Sequence, residues 1–224
     1  EPKGFNQNYG VRIIFEKQNN ETELKYETSV KWIKTEDKLH FFEIDRISNL
    51  FIDEEEVNNI ANLLAYKSSQ VLYPLTISVN EAGKFYAIEN LNSYEKRWKK
   101  IKTEIHKEFE GEIVEKYLGQ IEKIIIDEPS LLNLYLKKDY FVRTLFFGIY
   151  QNYGKHYQIN GNETFPIIEN INEPNYQIKL KIDPILDEYD MIWIDGNGKL
   201  NEERSPEDFI SHSPFADDEQ QIND

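Results

Sequence analysis

The residues best suited to chemistry are five carboxylates that lie close together near the end of the sequence. They are Asp183, Asp187, Glu188, Asp190 and Asp195. Two carboxylates that face each other can act as acid and base in glycoside hydrolysis, and several together can bind a divalent cation. An acidic chain offers such pairs at many places, so this spacing alone favours neither chemistry. A carboxylate-dependent hydrolase is therefore the least supported of three functional hypotheses.

Other signals for catalysis or for a cofactor are missing from the sequence. The chain has no cysteine, which excludes thiolate zinc sites, iron–sulfur clusters and cysteine nucleophiles. Its four histidines are not spaced as a metal-binding pair, and no phosphate loop or serine-nucleophile motif occurs. The segment 195–198 begins like a calcium loop, but Lys199 and Leu200 stand where an oxygen ligand and a glycine are needed. We expect a protein without enzymatic activity, cofactor or metal.

The charge of the chain indicates which partners it can bind. The net charge is −15, the wrong sign for binding nucleic-acid phosphates. Thirteen acidic and two basic residues lie between 183 and 224, which gives this segment a net charge of −11. An acidic surface steers association with basic molecules. The charge therefore predicts a basic protein partner and argues against nucleic acid.

Tyrosines mark a second feature suited to recognition. Tyrosine is enriched in protein interfaces, and the segment 150–157 contains three of them. The same residues would also suit the edge of a sheet. The candidate binding residues are Tyr150, Tyr153, Tyr157, Asp187, Asp190, Asp217 and Asp218.

Hydrophobic alternation in the first part of the chain predicts an antiparallel meander. Strands are expected over 9–15, 24–32 and 39–51. Asp53 with Glu56 is typical of a helix start, and the helix would bury Val57, Ile60, Ala61 and Leu64. Strands over 71–79 and 85–88 follow.

The centre of the chain, 92–148, is expected to be helical. One apolar stripe comprises Tyr94, Trp98, Ile101, Ile105 and Phe109, and a second comprises Ile113, Tyr117, Ile121 and Ile124 or Ile125. The basic run 96–102 then occupies the outer face of the first helix. Pro129 opens a third helix, and Asp139 caps a short fourth over 140–147. That last helix is apolar nearly all round, which fits either a buried element or a surface for a partner or lipid.

Short strands return in the last third of the sequence. They are expected over 157–168 with a break at 160–162, over 176–182, and over 189–194 with an end at 195–198. The predicted fold is α+β, with a curved antiparallel sheet of N-terminal meander plus C-terminal strands covered by the central helices. It forms one domain over 1–204 with a helical insertion at about 92–148, followed by an acidic tail over 205–224.

Three functional hypotheses remain open at this stage. The first is a non-enzymatic protein-binding module, either an immunity-type inhibitor or a subunit of a larger assembly. The second is a carrier whose curved sheet and helical lid enclose a lipid or another hydrophobic ligand, and the third is the hydrolase. No apolar run is long enough to span a bilayer. The first residue is Glu rather than Met, so we expect either a cytoplasmic protein or a trimmed exported or anchored one. The oligomeric state is left open.

Overall fold

The chain divides into two compact units, Glu1–Phe147 and Gly148–Asp224, in its computed structural model. The structure describes residues 4–17, 20–127, 136, 139–147, 151–165, 174–188 and 191–201. The α+β class with antiparallel sheets is confirmed, and the strands are distributed over two sheets. The expected single domain over 1–204 and the separate tail stay predictions.

Seven antiparallel strands form the sheet of the first unit. They are β1 (Asn6–Lys17), β2 (Asn20–Glu36), β3 (Leu39–Arg46), β4 (Phe51–Ile52), β5 (Glu55–Glu56), β6 (Leu75–Asn80) and β7 (Phe85–Ile88). β2 pairs with β1 along one edge and with β3 and β4 along the other. β6 and β7 continue the sheet beyond β3. The antiparallel meander predicted for the first three strands is confirmed.

One face of this sheet is apolar because alternate residues of neighbouring strands are in register. Val30 lies opposite Ile44, and Phe42 lies opposite Ile77. All four side chains are almost completely buried. Since successive strand residues point to opposite faces, the same register leaves a more polar face on the other side. Another element must therefore cover the apolar face.

Helices of the first unit supply that cover. They are α1 (Ile60–Ser69), α2 (Tyr94–Ile105), α3 (Glu112–Glu122) and α4 (Tyr140–Leu145), and a π-helical turn, Lys123–Asp127, continues α3. Trp98 of α2, Leu118 of α3 and Val142 of α4 join the apolar residues of the sheet in one core. In the described part of the chain, no helix combines the length and apolar content needed to span a bilayer.

The predicted stripe of α2 is confirmed. Tyr94, Trp98 and Ile105 are buried, and Ile101 is half-buried. The basic run occupies the outer part of the helix, where Lys99 forms an ion pair with Glu95 of the preceding turn. Lys96, Lys99 and Lys100 are exposed, as the spacing predicts, whereas Arg97 is half-buried and donates a hydrogen bond to the Pro74 carbonyl at 2.8 Å.

The predicted start of α1 is wrong. Asp53 and Glu54 have positive φ angles of 50° and 67° and form the two-residue turn of the β4–β5 hairpin, a conformation that suits asparagine, aspartate and glycine. The helix begins at Ile60, after Asn59 caps it by accepting a hydrogen bond from the Asn62 N–H. The strand expected over 39–51 accordingly ends at Arg46.

The stripe predicted for α3 is also partly wrong. Ile113 is 83% exposed, whereas Val114 and Leu118 are buried. Tyr117 and Ile121 pack against the core as expected. Advancing one residue turns a helical side chain by about 100°, so the buried face is centred one position later than the isoleucines suggest. The helix expected from Pro129 starts outside the described residues.

The cap predicted for α4 is confirmed. The Asp139 side chain accepts a hydrogen bond from the Val142 N–H. The helix ends at Leu145 rather than Phe147. Val142 is buried in the core and the neighbouring Phe141 is half-buried, so this apolar helix serves packing within the first unit.

Three strands form the sheet of the second unit in the order β10-β9-β8. They are β8 (Gln158–Thr164), β9 (Asn175–Ile182) and β10 (Ile194–Leu200), and both pairings are antiparallel. The alternation predicted for β9 is confirmed, because Tyr176, Ile178 and Leu180 are buried while Lys179 and Lys181 are exposed.

Two glycine-containing segments expected to interrupt strands instead lie within them. Residues 160–162 belong to β8, and residues 195–198 belong to β10. A Cβ atom on Gly196 would lie 2.9 Å from Cδ2 of the buried Leu180. Glycine therefore provides room for a large side chain of the central strand, a reason for glycine within a strand that composition alone does not reveal.

Replacing Gly196 tests this packing. We expect Gly196→Ala to lower the free energy of unfolding of the second sheet by about 1 kcal/mol, the low end of the cost of overpacking, because the added methyl group displaces only the end of the Leu180 side chain. Hydrogen exchange of the β9 amides measures the loss. Gly10→Ala, in β1, is the matched control because nothing lies within 4 Å of its added Cβ. Equal protection of β9 in the wild type and Gly196→Ala would contradict this packing.

Candidate functional site

Among the described residues of the second unit, the connection between β9 and β10 exposes the densest group of large apolar side chains. This connection, residues 183–193, is called the apolar loop below. Ile185 and Trp193 are 75% and 71% exposed, and Leu186 and Ile192 are about half exposed. In the first unit, exposed residues such as Ile113 and Tyr86 are scattered, which is normal for a protein surface. The apolar loop gathers four within eleven positions.

Hydrogen bonds hold the described parts of this loop in a defined shape. The Asp183 N–H donates to the Trp193 carbonyl at 2.9 Å, and the Asp187 N–H donates to the Met191 carbonyl at 3.0 Å. In return, the Met191 N–H donates to Asp187 Oδ1 at 2.9 Å. The loop therefore continues the β9–β10 hairpin beyond the sheet. A partner that binds it has less chain to order, which lowers the entropic cost of association.

A cleft of about 600 Å³ lies beside the base of the apolar loop. Its lining residues include His156, Tyr157, Lys181, Asp183, Trp193 and Asp195. Tyr157 follows a short 3₁₀ turn, Gly154–His156, and has a left-handed backbone with φ of 53°. Its carbonyl accepts a hydrogen bond from the Ile182 N–H at 2.9 Å. This bond fixes Tyr157 at the end of β9, next to the loop.

Carboxylates flank the apolar residues of the loop in the sequence. Asp183, Asp187, Glu188 and Asp195 are all exposed, and residues 183–195 contain no lysine or arginine. The Asp183 carboxylate has a fixed orientation because its Oδ1 accepts a hydrogen bond from the Ile185 N–H at 3.0 Å. An apolar centre within a polar rim is the usual anatomy of a protein interface.

Of the binding residues expected from the sequence, Tyr157 lines the cleft and Asp187 lies in the apolar loop, outside the residues that line the cleft. Tyr153 is buried, and burial raises the pKa of its phenol. Its role in binding stays a prediction. Tyr150, Asp190, Asp217 and Asp218 lie outside the described residues.

Sequence reasoning missed the apolar members of the site. The expected strand over 189–194 includes Ile192 and Trp193, although β10 begins only at Ile194. The available signal was an acidic segment, 187–190, flanked on both sides by large apolar residues. A loop of that composition between two strands presents apolar side chains that the sheet does not cover.

The arrangement of the carboxylates bears on the hydrolase hypothesis. Asp187 and Asp195 are exposed to solvent, and Asp190 lies outside the described residues. Among the residues that the structure describes, no group of three or more histidine, aspartate or glutamate side chains could hold a metal ion. The hydrolase stays the least supported of the three hypotheses.

A second polar cluster lies in the first unit around Arg46. The guanidinium carbon of Arg46 lies 4.7 Å from the ring centroid of Tyr73 and 5.1 Å from that of Tyr26. Its Nη1 donates to Ser69 Oγ at 3.1 Å. A cation over aromatic faces is attracted by their quadrupoles. These contacts join β3 to β2 and to the end of α1, so they serve the fold.

Asp139, which caps α4, belongs electrostatically to the same cluster. Burial raises the pKa of its carboxyl group, while two backbone N–H donors and Arg46 act in the opposite direction. Burial also raises the pKa of Tyr73, with the Asp139 charge as the second cause. Desolvation disfavours the charged form of each group. We therefore expect the stability of the first unit to depend on pH through this cluster.

Comparisons with known proteins do not identify a relative. No family model matches the chain, and neither a curated protein nor a solved structure similar to it was found. Its function has to be inferred from the exposed surfaces and charges of the described residues.

Replacing Asp139 by Asn tests the electrostatic argument, since asparagine can still cap the helix but carries no charge. A raised folded-state pKa means that the stability linked to Asp139 is fully present below the unfolded pKa of about 3.9. That stability is lost as pH rises through the folded pKa. We therefore expect Asp139→Asn to gain stability relative to the wild type as the pH rises from the unfolded pKa to the folded pKa of Asp139.

Urea unfolding at a series of pH values measures this difference in stability. Asp37→Asn, at the exposed β2–β3 turn, controls for the loss of one negative charge. A difference between Asp139→Asn and wild type that is constant with pH, or that changes in the opposite direction, would contradict the assignment.

Proposed function

We propose that this protein is a non-enzymatic binding module that docks a basic protein partner on its second unit. The docking surface consists of the apolar loop and the adjacent cleft. One observation carries the proposal: the loop holds Ile185, Leu186, Ile192 and Trp193 in solvent by means of its own hydrogen bonds. Such a surface is costly for a free protein and useful to one that binds another.

The physical reason is the free energy of apolar burial. Covering an exposed apolar surface gains about 25 cal/mol for each square ångström removed from water. Tryptophan is among the residues enriched at interface hot spots, and Trp193 is 71% exposed. Preorganisation of the loop by the Asp183–Trp193 and Asp187–Met191 hydrogen bonds leaves more of that gain for affinity.

Charge supports a basic partner. Four carboxylates that flank the apolar residues in the sequence are exposed, namely Asp183, Asp187, Glu188 and Asp195, and the whole chain carries a net charge of −15. Complementary charge accelerates encounter and disfavours acidic partners. The negative charge also disfavours binding to nucleic acid. An inhibitor that blocks a basic toxin and a subunit of a larger assembly are both compatible with this surface.

The carrier hypothesis has less support in the described residues. A carrier would use the helices of the first unit to enclose a cavity. The side chains of Trp98, Ile105 and Leu118, which face the sheet, are instead buried in the apolar core. The carrier therefore remains an alternative without an observation that favours it.

Affinity capture with variants of the loop tests the proposal. Full-length wild type and a variant carrying Leu186→Ser and Trp193→Ala are used as baits in a lysate of the native cell, at low and moderate salt. We expect a partner with a basic surface to be retained by the wild type and reduced at least about tenfold by the double variant, because a hot spot contributes roughly 2 kcal/mol or more.

Ile113→Ser is the matched control for this capture. It removes an isoleucine that is 83% exposed on α3 of the first unit, so it lowers surface hydrophobicity without touching the apolar loop. Retention of the partner by this control, with weaker retention at higher salt, agrees with the proposal. Equal capture by the wild type and the double variant would overturn it.

A further inference from the structure

We propose that the cleft beside the apolar loop receives one arginine side chain of the basic partner, held between Tyr157 and Trp193. This inference rests on the proposed function and names the group that the site recognises. The cleft measures about 600 Å³, which is ample for a guanidinium group and its aliphatic stem. All of its lining residues belong to the second unit.

The walls of the cleft provide the first reason. Tyr157 is 48% exposed and Trp193 is 71% exposed, so their rings are accessible to a ligand. A guanidinium group is planar and weakly hydrated, and it stacks on aromatic faces. The first unit shows the same chemistry within this chain, since Arg46 lies over the rings of Tyr26 and Tyr73.

The charges of the cleft provide the second reason. Asp183 and Asp195 contribute two negative charges and Lys181 contributes one positive charge. With His156 counted as neutral, the formal charge of the cleft is −1. Asp195 lies directly opposite Lys181 in the β9–β10 register, an arrangement of opposite charges that stabilises a sheet. One arginine therefore brings the cleft to neutrality.

The Asp183 carboxylate is suited to accept the guanidinium. Its Oδ1 is already oriented by the Ile185 N–H at 3.0 Å, so the group does not need to be ordered when the ligand arrives. A carboxylate has about four lone-pair sites, and the remaining ones can accept the two N–H donors of a guanidinium edge. Lysine offers a compact, strongly hydrated charge that neither stacks on aromatic rings nor forms two parallel hydrogen bonds to one carboxylate.

A titration with small capped amino acids tests the inference on the full chain. The probes are Nα-acetyl-arginine amide, Nα-acetyl-lysine amide and the uncharged Nα-acetyl-citrulline amide, and the signal is the indole N–H resonance of Trp193, assigned with Trp193→Phe. We expect saturable shifts with the arginine probe, and at least about tenfold weaker binding of citrulline, because the charge-assisted hydrogen bonds are lost.

Asp183→Asn and Asp195→Asn should each weaken the binding of the arginine probe several-fold. Asparagine at 183 retains an oxygen for the Ile185 N–H, so the loop keeps its shape. Asp37→Asn, in the first unit, makes the same change of charge outside the cleft and should leave binding unaltered. A Trp193 resonance that does not shift with arginine, or that shifts equally with citrulline, would overturn the inference.

Failure here and failure of the proposed function are distinguishable. If the Leu186→Ser and Trp193→Ala bait loses its partner while the arginine probe has no effect, the surface docks a protein without an arginine anchor. If the arginine probe binds but the loop variants capture the same partner as the wild type, the cleft binds a cationic ligand and the loop does not have the proposed docking role.

Discussion

The apolar layer between the seven-stranded sheet and its helices is the constraint on which the first unit depends. Register places Val30 beside Ile44 and Phe42 beside Ile77, which creates a face that water cannot cover without cost. Tyr94 and Trp98 of α2 complete that layer. The capped start of α4 and the Arg46 cluster follow from the same need, because polar groups drawn toward the core require partners.

In the second unit the sheet also buries its apolar side chains, whereas the connection between β9 and β10 leaves them exposed. The apolar side of β9 is buried, and Gly196 leaves room for the side chain of Leu180. The apolar loop continues from β9 and β10, yet its large side chains remain in solvent. Its carboxylates keep this surface hydrated and make it negatively charged. This contrast between a buried face and an ordered, exposed one is the reason for proposing the loop as a docking surface.

The sequence predicted those elements whose period is set by burial. The stripe of α2 and the alternation of β9 are examples, because each follows from one apolar face meeting one core. The start of α1 could not be predicted, since Asp53 and Glu54 satisfy a helix-capping pattern and a hairpin turn equally well. Gly196 was assigned to a turn because its role depends on Leu180 of the neighbouring strand, and no local pattern contains that contact.

The candidate site was predicted only in part for a related reason. Charge and aromatic content led to Asp187, which lies in the apolar loop, and to Tyr157, which lines the cleft. Trp193 and Ile185 were missed because an apolar residue in a sequence is by default assigned to the interior. In the structure β9 ends at Ile182 and β10 begins at Ile194. The residues between them therefore lie outside the sheet, which the sequence pattern does not show.

Site-specific photo-crosslinking in the native cell tests the central claim most directly. A photoreactive amino acid is placed at Leu186 in the apolar loop, and separately at Ile113 on α3 as the reference position. The account predicts a covalent adduct from position 186 to a protein whose crosslinked surface is rich in lysine and arginine, and none of that adduct from position 113. Crosslinks from position 113 alone, or crosslinks from 186 to an acidic surface, would contradict it.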